Sequence, residues 1–225
     1  MLNYEAPLGL LARLVPAGVE IDRWRDTLYM SVVGFLFRET RVLGAAIPWH
    51  RSFEEVNLRF YVRRELGSEV RRGVVFVREI VPRHAIAIVA RLLYNEPYRA
   101  LPMRHRVERT DDGAIEREFA WRAGASWSRL VATTVGAPEP LRADSEEEFI
   151  TEHYWGYTRQ RDGGTVEYRV QHPRWNVWNA REARLDGSVE ALYGAEFARV
   201  LSGAPRSAFV ADGSAVRVSA PRRIR

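Results

Sequence analysis

Four polar residues alternate along one short stretch of the chain, where a β-strand would align their side chains on one face. They are Glu55, Asn57, Arg59 and Tyr61, roughly 6.6 Å apart along the strand. In a cavity, Arg59 would clamp a carboxylate, and Glu55 or Tyr61 would transfer a proton. The alternative is a solvated outer face that carries a Glu–Arg ladder. The residues between them are apolar and form the opposite face: Val56, Leu58, Phe60 and Val62.

The residues that usually hold metals are few and badly spaced. None of the five histidines lies at a His-x-x-x-His spacing, and the chain has no cysteine. We therefore predict no metal site and no cofactor, and the lack of cysteine also excludes disulfides and thiolate catalysis. His50, beside Trp49 and just before the polar row, is predicted to line a pocket. The alternative for His50 is a structural or surface role.

Charge and hydropathy exclude two classes of partner. All 34 basic residues are arginine, and the net charge is only +5. The arginines alternate with acidic residues, as in Glu116-Arg117-Glu118, which is typical of a solvated surface and not of a phosphate-binding stripe, so we predict no nucleic-acid partner. No run approaches the roughly 18 apolar residues that a membrane span needs. The N-terminal stretch lacks a basic region, so we expect a cytoplasmic protein without a membrane partner.

Hydrophobic periodicity predicts one domain over residues 1–225, because the segment after Pro138 and Pro140, the best candidate linker, shows no change in composition. Many strands and three or four short helices indicate an α+β, mostly antiparallel domain that is barrel-like or sandwich-like. A last edge hairpin is expected over residues 208–218, turning at Asp212-Gly213. The predicted helices lie at 8–15, at 82–94, from a cap at Asp144 or Ser145 to about 154, and within 189–201. The other predicted strands lie at 27–37, 54–64, 74–80, 103–109, 114–122, 127–135, 157–161, 166–171 and 175–185.

Five short blocks together resemble the YqjF-like family of uncharacterised bacterial proteins. That family is similar to the acetoacetate decarboxylase superfamily, so the resemblance implies a β-barrel-like fold around a small apolar cavity. In the decarboxylase, a proline followed by two lysines supplies the Schiff-base nucleophile and a neighbouring cation, and an aromatic-x-Glu segment supplies a carboxylate. The blocks are Leu14-Val15-Pro16-Ala17-Gly18, the segment from Phe53 to Val62, Gly73-Val74-Val75-Phe76, Glu96-Pro97-Tyr98 and His172-Pro173-Arg174-Trp175.

The resemblance places Pro97-Tyr98-Arg99 at the lysine positions and Phe53-Glu54-Glu55 at the carboxylate segment. A phenol cannot form an imine with a keto acid, and the chain has no lysine to replace the nucleophile. The α-amino group of Met1 is the primary amine that remains, so we do not expect Schiff-base decarboxylation by the family mechanism. The resemblance implies that Tyr98 points into the cavity with Arg99 next to it, whereas the alternative is a packing tyrosine and a surface arginine.

These features support three hypotheses. The first is a small-molecule-binding protein with an enclosed cavity for a small organic acid or keto compound, lined by Glu55, Asn57, Arg59, Tyr61 and Tyr98. The second is a lysine-independent isomerase, lyase or hydrolase that uses Glu55 or Tyr98 as the proton carrier. The third is a structural protein with a filled barrel. Because folds of this superfamily often oligomerise, a homo-oligomer is compatible with all three.

Overall fold

In a computed structural model, the structure describes residues 1–39, 41–42, 45–46 and 52–224. Five helices occur in these ranges: α1 (Leu8–Ala12), α2 (His84–Leu93), α3 (Glu146–Thr151), α4 (Glu190–Tyr193) and α5 (Ala195–Leu201). The strands are β1 (Leu2–Glu5), β2 (Glu20–Ile21), β3 (Tyr29–Phe37), β4 (Arg41–Val42), β5 (Ala45–Ala46), β6 (Phe53–Leu66), β7 (Glu69–Val81), β8 (Tyr98–Ala100), β9 (Met103–Arg109), β10 (Ile115–Ala123), β11 (Ser126–Thr134), β12 (Glu139–Pro140), β13 (Trp155–Arg159), β14 (Thr165–Gln171), β15 (Asn176–Asp186), β16 (Ser207–Ala211), β17 (Arg217–Val218) and β18 (Arg222–Ile224).

One large, mostly antiparallel sheet contains sixteen of the described strands, which confirms the predicted fold class. Its strand order is β17-β14-β13-β7-β6-β3-β1-β16-β15-β11-β10-β9, with β12, β18, β2 and β8 paired alongside. The pairs β7–β13 and β7–β8 are parallel. The two end strands of this order do not pair with each other, so the sheet is not a closed barrel. The region 189–201 holds two helices and not one, because Gly194 adopts a φ of 84° between α4 and α5.

The sheet folds over the main core, so that strand β3 packs face to face against strands β10 and β11. A Cβ atom on Gly34 of β3 would lie only 2.8 Å from Phe119 of β10 and 2.9 Å from Leu130 of β11. A glycine is therefore needed where these strands approach. Leu58, Phe60 and Trp121 are fully buried in the same core.

Strand β6 is buried on both faces, which decides between the two interpretations of the polar row. It lies between β3 and β7 and pairs with both over most of its length. Glu55 and Asn57 are each 2% exposed, and Tyr61 is fully buried. The solvated outer face is therefore the wrong interpretation for these three residues.

The predicted edge hairpin over residues 208–218 is wrong. Strand β16 lies inside the sheet, where it pairs with β1 on one side and with β15 on the other. Strand β17 pairs with β14 instead. Because both edges of β16 are occupied, it has no free edge with which to form a hairpin.

The described helices are short. The longest, α2, has ten residues, and no helix in the described ranges is long and apolar enough to cross a membrane.

Candidate functional site

Three neighbouring strands bring acidic and phenolic side chains to one buried place. In the pairing of β6 with β7, Asn57 lies opposite Glu79, and in the pairing of β7 with β8, Glu79 lies opposite Tyr98. Paired residues project to the same face of a sheet, and Glu55 shares that face because it is two positions from Asn57. With Glu96, two residues before Tyr98, these residues form what we call the glutamate cluster: Glu55, Asn57, Glu79, Glu96 and Tyr98.

Both carboxyl oxygens of Glu55 accept hydrogen bonds inside the cluster. The amide nitrogen of Asn57 donates to Oε1 at 3.0 Å, and the hydroxyl of Tyr98 donates to Oε2 at 2.8 Å. Tyr98 therefore joins β8 to Glu55 of β6 across β7, where Glu79 lies opposite Tyr98 in the strand pairing.

Glu96 is held from the far side by strands β13 and β14. The hydroxyl of Tyr168 donates to Glu96 Oε1 at 2.7 Å, and the hydroxyl of Thr158 donates to the same oxygen. Glu96 itself lies in the connection between α2 and β8 and is 4% exposed. The strand pair β13–β14, which is distant in sequence, thus reaches this carboxyl group with two hydroxyl donors.

Burial changes the protonation of the whole cluster. It raises the pKa of Glu55 to about 7, and burial together with the charge of Glu55 raises the pKa of Glu96 to about 7. Burial, together with the charges of Glu96 and Glu55, raises the pKa of Glu79 well above its ordinary value. Burial likewise raises the pKa of Tyr98 far above the usual range. Near neutral pH the carboxyl groups therefore share protons, while Tyr98 stays a neutral donor.

Three polar atoms on this face of β6 and β7 are buried and have no hydrogen-bond partner among the described residues. They are Oδ1 of Asn57, Oε2 of Glu79 and Nε of Arg59. Arg59 donates from a terminal nitrogen to the Ile150 carbonyl at 3.3 Å, and its guanidinium carbon lies 5.6 Å from the Tyr61 ring centre. Its Nε donor remains free for another group.

Tyr61 lies further along the same face, in a separate environment. Its hydroxyl forms a 2.6 Å hydrogen bond with Ser31, and its ring packs against Phe149 and His153. His153 Nε2 lies 3.2 Å from Asp22, and burial lowers the pKa of His153 to about 4. Tyr61 thus contributes to packing beside a neutral, buried histidine.

The remaining predicted site residues do not join the cluster. Arg99 is exposed and pairs with Ile80, one position along from Tyr98, so its side chain points to the other face of β8. His50 lies outside the described residues. Of the predicted set, the structure brings together Glu55, Asn57 and Tyr98, with Arg59 next along the strand.

Sequence reasoning gave no role to Glu79, Glu96, Thr158 and Tyr168. A signal for Glu79 was present, because a carboxylate inside the apolar stretch Val74–Ile80 is costly to bury and needs an explanation. Glu96 belongs to Glu96-Pro97-Tyr98, one of the five blocks that resemble the YqjF-like family. Nothing local marked Thr158 or Tyr168, whose contacts depend on the pairing of distant strands.

The described part of the chain offers no metal-binding group at the cluster, and two surface concavities lie away from it. Among residues 1–39 and 52–224, no three histidine or acidic side chains are placed to hold a metal ion. Two concavities of the described surface, of about 250 and 290 Å³, lie elsewhere. The larger is lined by Leu141, Ser145 and Trp178 among others.

The chain belongs to the DUF2071 family, whose model, described as an uncharacterized conserved protein, matches residues 1–215. It is 25% identical over 199 residues to the uncharacterized protein YqjF of Bacillus subtilis (strain 168), covering 85% of this chain and 77% of YqjF.

Solved structures confirm the likeness to acetoacetate decarboxylase-like folds. The acetoacetate decarboxylase of Legionella pneumophila is similar with a TM-score of 0.64 at 13% identity, over 100% of this chain and 83% of the decarboxylase. The enduracididine biosynthesis enzyme MppR complexed with pyruvate is similar with a TM-score of 0.62 at 12% identity, over 99% of this chain and 86% of MppR. At these identities the likeness establishes the fold.

Proposed function

We propose that this chain is a small-molecule-binding protein whose ligand, a small organic acid or keto compound, lies in an enclosed site between the glutamate cluster and Arg59. The observation that carries the proposal is the set of free atoms on one buried face: Asn57 Oδ1, Glu79 Oε2 and Arg59 Nε. A buried polar group without a partner costs about 1–3 kcal/mol, so such groups are normally satisfied by a ligand or by water.

The chemistry of these groups suits an oxo acid. The free Nε–H of Arg59 would donate to a carboxylate, and the neutral hydroxyl of Tyr98 or a protonated carboxyl group would donate to a carbonyl oxygen. The MppR structure in complex with pyruvate provides an example of a small oxo acid bound to a similar fold. Without lysine, this chain would hold such a ligand through hydrogen bonds and charge alone.

Calorimetric titration with pyruvate and acetoacetate tests the proposal. Arg59→Gln is expected to weaken binding about tenfold or more, because it removes a charge-assisted hydrogen bond. Arg117→Gln is the matched control, since Arg117 is a half-buried arginine on the distant strand β10 that donates to Thr134. If the native protein binds neither compound at millimolar concentration, or if Arg59→Gln binds as tightly as Arg117→Gln, the proposal is wrong.

A second candidate function is acid–base catalysis in the same site. It is favoured by the Tyr98–Glu55 hydrogen bond and by the pKa of about 7 that burial gives Glu55, which suits a general base at neutral pH. Glu55 would take a proton from the carbon next to a ligand carbonyl. The electron pair would move to the carbonyl oxygen, where Tyr98 would stabilise the enolate.

Hydrogen exchange separates the two functions. An enzyme of this kind is expected to exchange the methyl hydrogens of pyruvate for deuterium in heavy water, and the NMR signal of the methyl group would decay. The exchange rate should rise with pH through about 7 and should vanish in Glu55→Gln. Pyruvate binding without exchange would leave the binding function and reject catalysis by Glu55.

A further inference from the structure

We infer that the ligand also carries a cationic nitrogen group, an ammonium, amidinium or guanidinium, which lies against Glu55, Asn57 and Glu79 while Arg59 holds the acidic or carbonyl end. The inference rests on the proposed function and specifies which class of small acid the site accepts.

The first argument is the excess of acceptors at the cluster. The donors that face it, namely the Asn57 amide and the hydroxyls of Tyr98, Tyr168 and Thr158, already bind carboxyl oxygens. The free atoms at this end, Asn57 Oδ1 and Glu79 Oε2, belong to side chains that are each 2% exposed. Because the Asn57 nitrogen is engaged with Glu55, its oxygen can only accept. Once Glu79 is ionised, a ligand that satisfies these two atoms must bring donors.

The second argument is charge. Another buried glutamate, Glu167, is paired with Arg64 at 3.0 Å and with Arg71 at 2.8 Å. Among the residues that the structure describes, no arginine or histidine nitrogen lies within 4.0 Å of a carboxyl oxygen of Glu55, Glu79 or Glu96. Buried charges in proteins are normally paired, and without a cation beside them these carboxyl groups hold protons near neutral pH. Within the described residues the cluster therefore lacks a cation such as Glu167 has, and a bound ligand would supply it.

The third argument is spacing. Asn57 and Arg59 are two positions apart on β6, so their side chains leave the strand roughly 6.6 Å from each other. The Arg59 donor suits an anion, whereas the Asn57 and Glu79 acceptors suit a cation. A short compound with a carboxylate at one end and a cationic nitrogen at the other matches this row.

Calorimetry with matched probes tests the inference. 4-Aminobutanoate and 4-guanidinobutanoate carry the cation, whereas pentanoate and pyruvate lack it. We expect at least one cationic probe to bind about tenfold or more tightly than pentanoate. Its binding should release protons below about pH 7, because a cation favours the ionised form of Glu55, Glu79 and Glu96. Titrations in buffers of different ionisation enthalpy measure the number and sign of the protons exchanged.

Glu79→Gln is expected to abolish the preference for the cationic probes over pentanoate, because it replaces a carboxylate that would face the cation with a neutral amide. Glu118→Gln, a change of another buried glutamate on the distant strand β10, is the matched control and should keep the preference. Since proton release is measured on the native protein, the test does not depend on the folding of any variant.

The possible outcomes separate the two proposals. Equal or tighter binding of pentanoate or pyruvate, or net proton uptake with the cationic probes, would overturn the inference and leave the proposed function standing. If no probe binds, and acetoacetate does not bind either, both proposals fail.

Discussion

Buried glutamates in this chain occur in two kinds of environment, and the difference determines what each can do. Glu167 is neutralised by Arg64 and Arg71, and both of its carboxyl oxygens are used. Glu55 and Glu96 receive only neutral donors, so burial raises the pKa of each to about 7. The first environment fixes a charge as part of the structure. The second leaves carboxyl groups that can gain or lose a proton near neutral pH.

At the residue scale, this difference predicts how stability depends on pH. The folded protein holds protons on Glu55 and Glu96 that the unfolded chain releases from its ordinary pKa of about 4.5 upward. The free energy of unfolding contributed by these groups is therefore full below about pH 4.5, and it is lost as the pH rises through about 7. The loss is on the order of a few kcal/mol.

Urea denaturation at several values between pH 5 and pH 8 measures this effect. Glu55→Gln should show a smaller decline in stability with pH than the native protein, and Glu118→Gln should decline as the native protein does. His153, whose pKa burial lowers to about 4, acts in the opposite direction between about pH 4 and 6.5, but it is common to all three proteins. Identical pH profiles for Glu55→Gln and native protein would contradict the assignment of Glu55.

At the scale of elements, a glycine opposite a tyrosine positions one side of the cluster. Gly156 of β13 pairs directly with Tyr168 of β14, and the tyrosine ring lies where a Cβ atom of residue 156 would be. The ring is thereby directed toward Glu96, to which its hydroxyl donates. Such a contact depends on the register of two strands, and no local sequence pattern reveals it.

Gly156→Ala is therefore expected to displace the Tyr168 ring and to break its hydrogen bond to Glu96. The strain of an added methyl group in a packed core is typically about 1–3 kcal/mol, which denaturant unfolding would show as a lower midpoint. Gly203→Ala is the matched control, because a Cβ atom there would meet only the Val200 carbonyl at 3.4 Å. If Gly156→Ala matches this control in stability, the packing of Tyr168 on Gly156 is not structurally important.

The elements themselves could largely be predicted from the sequence, because each depends on local periodicity. The strand predicted at 54–64 is observed as Phe53–Leu66. The helix predicted to follow a cap at Asp144 or Ser145 is observed as Glu146–Thr151, and the cap is Ser145, which accepts from the Glu148 amide. Pairing was harder to predict. The last predicted hairpin failed because β16 pairs with β1, about 200 positions away in sequence.

At the scale of the whole molecule, the sheet joins the two ends of the chain. Strand β1 lies between β3 and β16, and β18 pairs with β14 next to β13. This topology explains why only part of the site could be predicted. Glu55, Asn57 and Tyr98 were found from one strand and one family-like block, whereas Tyr168 and Thr158 reach Glu96 only once distant strands have paired.

The same topology predicts that residues 1–225 unfold as one unit. The segment after Pro138 and Pro140 does not divide the sheet into two, because β15, which follows these prolines, pairs with β11, which precedes them. Removing either half would leave the other with unpaired strand edges and an exposed core, so neither half should persist alone.

Denaturant unfolding followed by tryptophan fluorescence and by far-UV circular dichroism should give coincident single transitions. Tryptophans on both sides of the prolines, such as Trp121 and Trp155, report on both halves. Two separated transitions would show that the chain folds as two domains, and the glutamate cluster, which draws Glu55 from one side of the prolines and is closed by Tyr168 from the other, would then have to form at their interface.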